Sequence, residues 1–438
     1  MDYVDRFACD WHRLATTDPK ESTANIIKRP NKKRKKFFLF YTSLTHSPRI
    51  DNRTGHDIMG KTPISEGDRP MAANKRNGMI DLMRFILTCS VVMIHLITGY
   101  LKERIGFLRG GTIAVEFFFV LSGFLLAASA DRANKDQPLW QATWKTMKGK
   151  VCGIWPVWIV ALGARMVTKI ITGNMGLGKI RLMVEESTSG YLMLTQLGLI
   201  DNVSIKFSWY IPVMLLCSLA LYPVLFRKRK EFTYTLAPLV TIFGLTYMFK
   251  ATGSLFTRNV WIGFTWSATV RGLCEMCLGV VAYEASVWMK NRFSGKLTKT
   301  GRTLFTVLEL GILAYPMYYI ITRLRVEVQL GILLGFAAFI AVCFANLSWT
   351  GEVIKGRFWG WLGKFSLALY LAQGVPSELL HGFYDSHPDL RMRYFILLYF
   401  AVAFVAAFMV HYGAQLLIFV SRKVKKGLLK ACIKPEEA

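Results

Sequence analysis

Long apolar stretches of about 20 residues alternate with shorter polar segments through most of the chain. A helix of about 20 apolar residues crosses the roughly 30 Å hydrocarbon core of a bilayer. The pattern therefore predicts an all-α, polytopic membrane protein with about ten transmembrane helices. The ten predicted spans are 80–100, 111–130, 150–171, 208–226, 232–249, 260–286, 303–322, 328–349, 360–380 and 394–420.

The loops between these spans carry an asymmetric positive charge. If the N-terminus is cytoplasmic, the cytoplasmic loops and C-terminal tail hold 22 Lys and Arg, and the opposite loops hold 12. Cytoplasmic loops of membrane proteins carry such an excess. The count therefore predicts that both termini are cytoplasmic. A shorter apolar stretch, 191–200, is too brief to cross and is expected at the surface or in a re-entrant segment.

Composition agrees with this prediction and excludes other classes. Of the 438 residues 53% are hydrophobic and only 19% are charged, which would leave a soluble globule with far too much exposed apolar surface. The net charge of +27 is expected to face anionic membrane lipids, and no nucleic-acid partner is expected. The eight cysteines lie mostly inside apolar runs, so neither a disulfide framework nor a metal site is predicted.

The polar ends define the predicted domains. Residues 1–78 form a basic, disordered cytoplasmic tail, 79–421 the transmembrane domain, and 422–438 a second basic cytoplasmic tail. Met71 is an alternative start, which would make residues 1–70 an upstream extension of the reading frame.

Two ionisable residues lie near the outer ends of the first two spans. Charged groups in hydrocarbon cost about 2.5–3.5 kcal/mol each, so such residues are functional candidates. His95 and Glu116 are each predicted roughly 7–8 Å below the outer boundary, on consecutive antiparallel helices. The carboxylate could orient an imidazole that takes a proton from a hydroxyl group. A structural polar pair between two helices explains the same spacing equally well.

Other ionisable residues have simpler interpretations. Arg84 is predicted about 16 Å deeper than His95, where it could bind a phosphate entering from the cytoplasm or reach the inner headgroups. Arg271 and Glu275, four residues apart on one helix, predict a structural ion pair. His411 and Gln415 are expected to be a helix-packing pair.

Several segments match a known sequence pattern. Arg84 is followed after eleven residues by His95, and the second span reads Val115-Glu-Phe-Phe-Phe-Val-Leu-Ser-Gly-Phe-Leu125. Trp209-Tyr210-Ile, Tyr222-Pro223 and the late helix Leu362-Gly-Lys-Phe-Ser-Leu-Ala-Leu-Tyr-Leu371 extend the match over about 78–420. Residues 78–420 resemble the membrane acyltransferase-3 family.

The resemblance implies transfer of an acyl group, usually acetyl, from a cytoplasmic acyl-CoA to a hydroxyl of a carbohydrate or glycolipid at the far face of a bacterial cytoplasmic membrane. His95 matches the essential histidine, Glu116 its acidic companion, and Arg84 the arginine placed toward the acyl-CoA. No bound cofactor is expected, since acetyl-CoA would be a substrate. Trp209 and Tyr210 are candidate acceptor-stacking residues, although interfacial anchoring explains them equally well.

The chain departs from the family pattern at two places. Gly149 and Gly153 replace two arginines at the start of the third helix, where Lys148 and Lys150 could substitute as point charges. Gln373 replaces a late histidine. The alternative functions are a secondary transporter or flippase, which would also place ionisable groups at depth, and a membrane scaffold without activity.

Overall fold

A computed structural model describes residues 76–101, 108–195, 197, 208–295, 297–322, 326–384, 386–387 and 390–433 of the chain, with the side chains of 426–433 left out. The predicted tail 1–78 therefore lies almost entirely outside the described residues, as do 434–438 of the second tail. The described chain is helical with one short β-hairpin, which confirms the predicted all-α membrane fold.

The helices follow one another along the chain, and short π or 3-10 turns extend several of them. The first seven helices are α1 (Gly78–Leu96), α2 (Ala114–Asp131), α3 (Leu139–Gly173), α4 (Leu177–Glu186), α5 (Thr188–Tyr191), α6 (Tyr210–Glu231) and α7 (Ala237–Thr252). A hairpin of β1 (Trp261–Ile262) and β2 (Thr265–Trp266) follows them. The remaining helices are α8 (Ser267–Phe293), α9 (Lys299–Ile321), α10 (Gln329–Ala345), α11 (Thr350–Val353), α12 (Arg357–Ala372), α13 (Gly374–Leu379) and α14 (Met392–Ile433).

Local sequence explains several helix ends. The Asn77 side chain accepts hydrogen bonds from the backbone N–H groups of Met79 and Ile80, at 3.0 and 3.2 Å, and so caps α1. Gly253 ends α7 with a φ of 71°, a left-handed conformation that glycine adopts without strain. At the other end of the protein, α14 continues to Ile433, so it extends well into the predicted tail 422–438.

Eight helical stretches of the described chain are long and apolar enough to cross a membrane. The difference from ten predicted spans arises at two places. The predicted spans 208–226 and 232–249 lie in one stretch, Tyr210–Thr252, which is interrupted by non-helical dihedrals at Lys228. The predicted span 360–380 is divided between α12 and α13, neither of which is long enough alone.

The stretch Tyr210–Thr252 reverses its direction. At about 1.5 Å per residue a straight helix of this length would be about twice the thickness of a bilayer core. The contacts with α8 show instead that the chain runs along α8 and returns. They are Val213 with Gly272, Arg229 with Glu284, and Gly244 with Cys274. Helices α6 and α7 are therefore antiparallel to each other.

Helices α12 and α13 run side by side with α1 in the same direction. The rings of Phe85 and Phe365 lie 6.5 Å apart, and further along the Tyr100 hydroxyl donates to the Ser377 carbonyl. The two short helices together therefore match the length of α1 and its π-helical extension. With the reversal between α6 and α7, the described helices are compatible with the ten predicted spans, and that number of crossings stays a prediction.

Helices α2 and α8 cross at a contact between glycines and the opposing backbone. A Cβ atom at Gly123 would collide with the Met276 carbonyl oxygen, and one at Gly279 would collide with the Val120 carbonyl oxygen. Small residues allow helix backbones to approach closely inside membranes. This crossing fixes the two helices that carry the charged residues described below.

We expect Gly123→Ala and Gly279→Ala each to destabilise the protein by about 1–3 kcal/mol, because the added methyl group forces the helices apart. Thermal unfolding of the detergent-purified variants measures the effect. Gly311→Ala is the control, since no atom lies within 4 Å of a Cβ built at Gly311. Equal unfolding temperatures for all three variants would contradict the close packing.

Candidate active site

A cluster of three buried charges lies between α2 and α8. The Arg271 guanidinium donates to Glu116 Oε2 at 3.2 Å and to Glu275 Oε1 at 3.1 Å, and it also pairs with the second Glu116 oxygen. Glu116 and Glu275 are fully buried, and Arg271 is 2% exposed. The predicted Arg271–Glu275 ion pair is therefore confirmed, and Glu116 joins it from the neighbouring helix.

Arg271 also holds two neighbouring segments. It donates to the backbone carbonyl of Phe256 at 2.7 Å, in the loop between α7 and α8. Its guanidinium lies 5.3 Å from the ring centre of Trp209, immediately before α6. A buried charge is tolerated only where its hydrogen bonds are satisfied, so these contacts fix the loop and the start of α6 around the cluster.

Trp209 is buried between two arginines. The residue is 3% exposed, and the Arg258 guanidinium lies 5.7 Å from its ring centre, in addition to that of Arg271 at 5.3 Å. The interpretation of Trp209 as an interfacial anchor is wrong, because the loop and helices cover the ring. Its role in acceptor binding stays a prediction.

His95 lies in the last turn of α1 and is half-buried. The charge of Arg258 is close enough to act on the imidazole. Among the described residues, the hydrogen bonds and ion pairs of the Glu116 carboxylate go to Arg271. The predicted orientation of His95 by Glu116 therefore stays a prediction, and the structure adds Arg271 as the partner of this carboxylate.

A narrow cavity of about 190 Å³ lies between α1, α2, α6 and α12. Arg84 and Tyr210 both line it, together with Ser122, Ser366 and Tyr370. The Tyr210 hydroxyl lies 2.6 Å from Ser122 Oγ and donates to the Phe118 carbonyl at 3.0 Å. Tyr210 therefore belongs to the same cavity as Arg84 and lies in the interior of the helix bundle.

Arg84 lies at this cavity and forms one ion pair among the described residues. Its Nη1 atom lies 3.6 Å from Asp81 Oδ1, and Asp81 also pairs with Arg76. Among the described residues that line the cavity, the others are apolar or hydroxyl-bearing, and Arg84 is the cation. The binding of an anionic group by Arg84 stays a prediction, as does the alternative of contact with the inner headgroups.

A second, wider cavity of about 550 Å³ lies between α2, α3 and α6. Three cations line it, Arg132, Lys145 and Lys150, and polar groups complete the wall. Lys148, predicted beside Lys150, is not part of the lining. Gly149 also lines the cavity, and no atom lies within 4 Å of a Cβ built there.

One face of α2 connects the two cavities. Ser122 lines the narrow cavity, Leu125 lines both, and Ser129 and Arg132 line the wide one. Residues spaced by three or four positions share a helix face. This face runs about 15 Å along the helix, from the basic cavity to the cavity of Arg84.

Three residues of this region could not be singled out from the sequence, whereas Lys145 belongs to the basic stretch 145–150 that the sequence already predicts near the donor phosphates. Arg258 counted only as one charge of an outer loop, and Arg132 only as a charge of a cytoplasmic loop. Tyr370 appeared within the late-helix motif without a role. The helical spacing of Ser122, Ser129 and Arg132 was the one sequence signal that could have revealed the shared face.

Two further polar pairs join side chains of the helices. The Gln415 amide lies 2.7 Å from the His411 ring, which confirms that predicted pair. Arg165 of α3 donates to Glu378 of α13 at 2.9 Å, so two charges inside predicted spans pair with each other.

The fold and the site define an integral membrane protein whose helices line a basic cavity and a neighbouring narrow cavity, in a bundle that also contains a buried charge cluster. Comparison with known families identifies its class. Residues 77–412 match the sequence model of the family Acyl_transf_3, described as an acyltransferase domain. Because the match covers most of the chain, the protein belongs to this family and is an acyltransferase that transfers groups other than amino-acyl groups.

Two other comparisons were negative. No curated protein and no solved structure matches the chain. The roles of individual residues therefore rest on their geometry.

Removal of the positive charge of the cluster should destabilise the protein more than removal of one negative charge. Arg271→Met leaves two carboxylates buried together and should cost about 3–5 kcal/mol of stability. Glu116→Gln should cost less, because Arg271 and Glu275 remain as a neutral pair. Thermal unfolding of both variants, with the exposed Arg181→Met as control, measures the difference. A cost for Glu116→Gln equal to that for Arg271→Met would contradict this charge balance.

Proposed function

We propose that the protein transfers an acyl group, of which acetyl is the first candidate, from a cytoplasmic acyl-CoA to a hydroxyl of a cell-surface or exported carbohydrate. The membrane is proposed to be the bacterial cytoplasmic membrane. The observation that supports this proposal is the continuous face of α2 between the basic cavity and the cavity of Arg84. It provides an entry for a long, anionic thioester donor.

The basic cavity suits the phosphate groups of CoA. Arg132, Lys145 and Lys150 contribute three positive charges to one wall, and lysine and arginine are the usual phosphate ligands. The open space at Gly149 replaces the guanidinium that the family pattern has there. We propose that the lysines bind the phosphates as point charges and that the uncharged arm of the donor follows α2 inward.

The narrow cavity leads the donor toward the outer half of the bundle. Tyr370 lines this cavity and also interacts electrostatically with Arg258, whose charge acts on His95. We propose that the donor path continues past Tyr370 toward His95. In the proposed reaction His95 takes the proton from the acceptor hydroxyl, and that oxygen attacks the thioester carbonyl carbon.

Collapse of the resulting intermediate breaks the C–S bond, and the proton held by His95 passes to the CoA thiolate. The atoms balance without a metal ion or an external proton. An acyl group that first rests on the protein is a second route to the same product. Membership in an acyltransferase family decides against the transporter, flippase and scaffold alternatives.

The test measures CoA thiol release by purified protein from acetyl-CoA, with a panel of methyl glycosides of glucose, galactose, mannose and N-acetylglucosamine as acceptors. We expect acceptor-stimulated release that disappears in His95→Ala, because the hydroxyl loses its base. Acceptor-independent release that still requires His95 would support an acyl-protein intermediate. Release that persists in folded His95→Ala would contradict the proposed role of the histidine.

The same assay tests the donor path through a matched pair of thioesters. The Lys150→Ala variant should raise the KM for acetyl-CoA, but not for S-acetyl-N-acetylcysteamine, which lacks the phosphates. Lys179→Ala is the control, because Lys179 lies on α4, away from both cavities. An equal effect on both thioesters would contradict phosphate binding by Lys150.

A further inference from the structure

The loop between α7 and α8 is fixed on both sides of Arg258. On one side the Gln329 side-chain oxygen accepts a hydrogen bond from the Leu255 backbone N–H at 2.8 Å, and Phe256 is bound by Arg271. On the other side Ser267 donates its backbone N–H to the Val260 carbonyl at 2.8 Å. The hairpin of β1 and β2 lies between these last two residues. The loop therefore holds Arg258 in one place.

Arg258 differs from Arg271 in its electrostatic partners. Arg271 has two carboxylates, whereas no carboxylate of the described chain lies within ion-pair distance of Arg258. The Arg258 guanidinium lies over the Trp209 ring, and its charge acts on His95 and Tyr370. Burial lowers the pKa of Arg258, since a partly buried cation loses hydration.

A partly buried cation without a counter-ion is costly, and such residues mark sites where negative charge is bound. The proposed reaction creates negative charge beside His95. When the hydroxyl oxygen attacks, a C–O bond forms and the π electrons of the thioester carbonyl move to its oxygen. That oxyanion exists until the C–S bond breaks and the carbonyl is restored.

We propose that Arg258 is a catalytic residue that stabilises the oxyanion on the thioester carbonyl oxygen. This inference rests on the proposed acyl-CoA reaction. A fixed cation is effective in this role because it needs little reorganisation when the charge develops. Arg271 cannot serve in the same way, since Glu116 and Glu275 already neutralise it.

The experiment compares wild type with Arg258→Lys and Arg258→Met on acetyl-CoA and the methyl glycoside that the wild type uses best. Loss of one oxyanion donor lowers kcat by about 10²–10³-fold in enzymes. We expect a decrease of this size for Arg258→Met and a smaller one for Arg258→Lys, which keeps a charge without the planar fork. The KM values for both substrates should stay within about twofold, as interactions made only in the transition state change kcat.

Arg181→Met is the control, because this arginine is exposed on α4 and pairs with Glu185. Its kcat should equal that of the wild type. Thermal unfolding of each variant separates a catalytic effect from a loss of structure, and if Arg258→Met does not fold, Arg258→Lys alone decides. An unchanged kcat in a folded Arg258 variant would overturn the assignment and leave the proposed function standing.

A rise confined to the KM for the acceptor would also overturn it, because Arg258 would then bind the acceptor in its ground state. Wild-type protein that releases no CoA from any acyl-CoA would overturn the proposed function and this assignment together. A decrease in kcat with both KM values preserved supports the oxyanion role.

Discussion

The arrangement of the site depends on the contacts of the Arg271 guanidinium. It is buried in an apolar helix bundle, where an unsatisfied charge would cost several kcal/mol. Its contacts come from four separate segments: Glu116 of α2, Glu275 of α8, the Phe256 carbonyl of the loop, and the Trp209 ring. Because this one cation must be paired, its contacts position the loop between α7 and α8 and the start of α6 beside α2. The glycine contacts at Gly123 and Gly279 keep α2 and α8 close enough for Arg271 to reach Glu116.

The protein combines two kinds of positive charge along one path. Lys145 and Lys150 line the wide cavity, where we propose that they bind the phosphate groups of the donor. Arg84 lines the narrow cavity, and the charge of Arg258 acts on His95. Arg84 has a carboxylate partner in Asp81, and Arg271 has two in Glu116 and Glu275, whereas no carboxylate of the described chain pairs with Arg258. We propose that these cations serve an anionic donor at one end of the path and the charge that develops during the reaction at the other.

The apolar pattern predicts the helices well, because a lipid-facing backbone must form helices over lengths set by the bilayer. It cannot distinguish a continuous helix from the reversal near Lys228, since that reversal depends on contacts with α8. The Arg271–Glu275 pair was predictable because both residues lie on one helix. The addition of Glu116 to this pair was not predictable, because α2 and α8 pack together although they are far apart in the sequence. Arg258 could not be singled out for the same reason, because its position over Trp209 depends on contacts of its loop with residues far away in the sequence.

In the proposed reaction the acyl group crosses the membrane from donor to acceptor through this bundle. Sealed proteoliposomes with [¹⁴C]acetyl-CoA on one side and a membrane-impermeant glycoside on the other test this transfer directly. With protein of known orientation, we expect labelled ester on the glycoside only when acetyl-CoA is on the side of Lys150 and the acceptor is opposite. Labelled ester formed only when donor and acceptor share one side would contradict it.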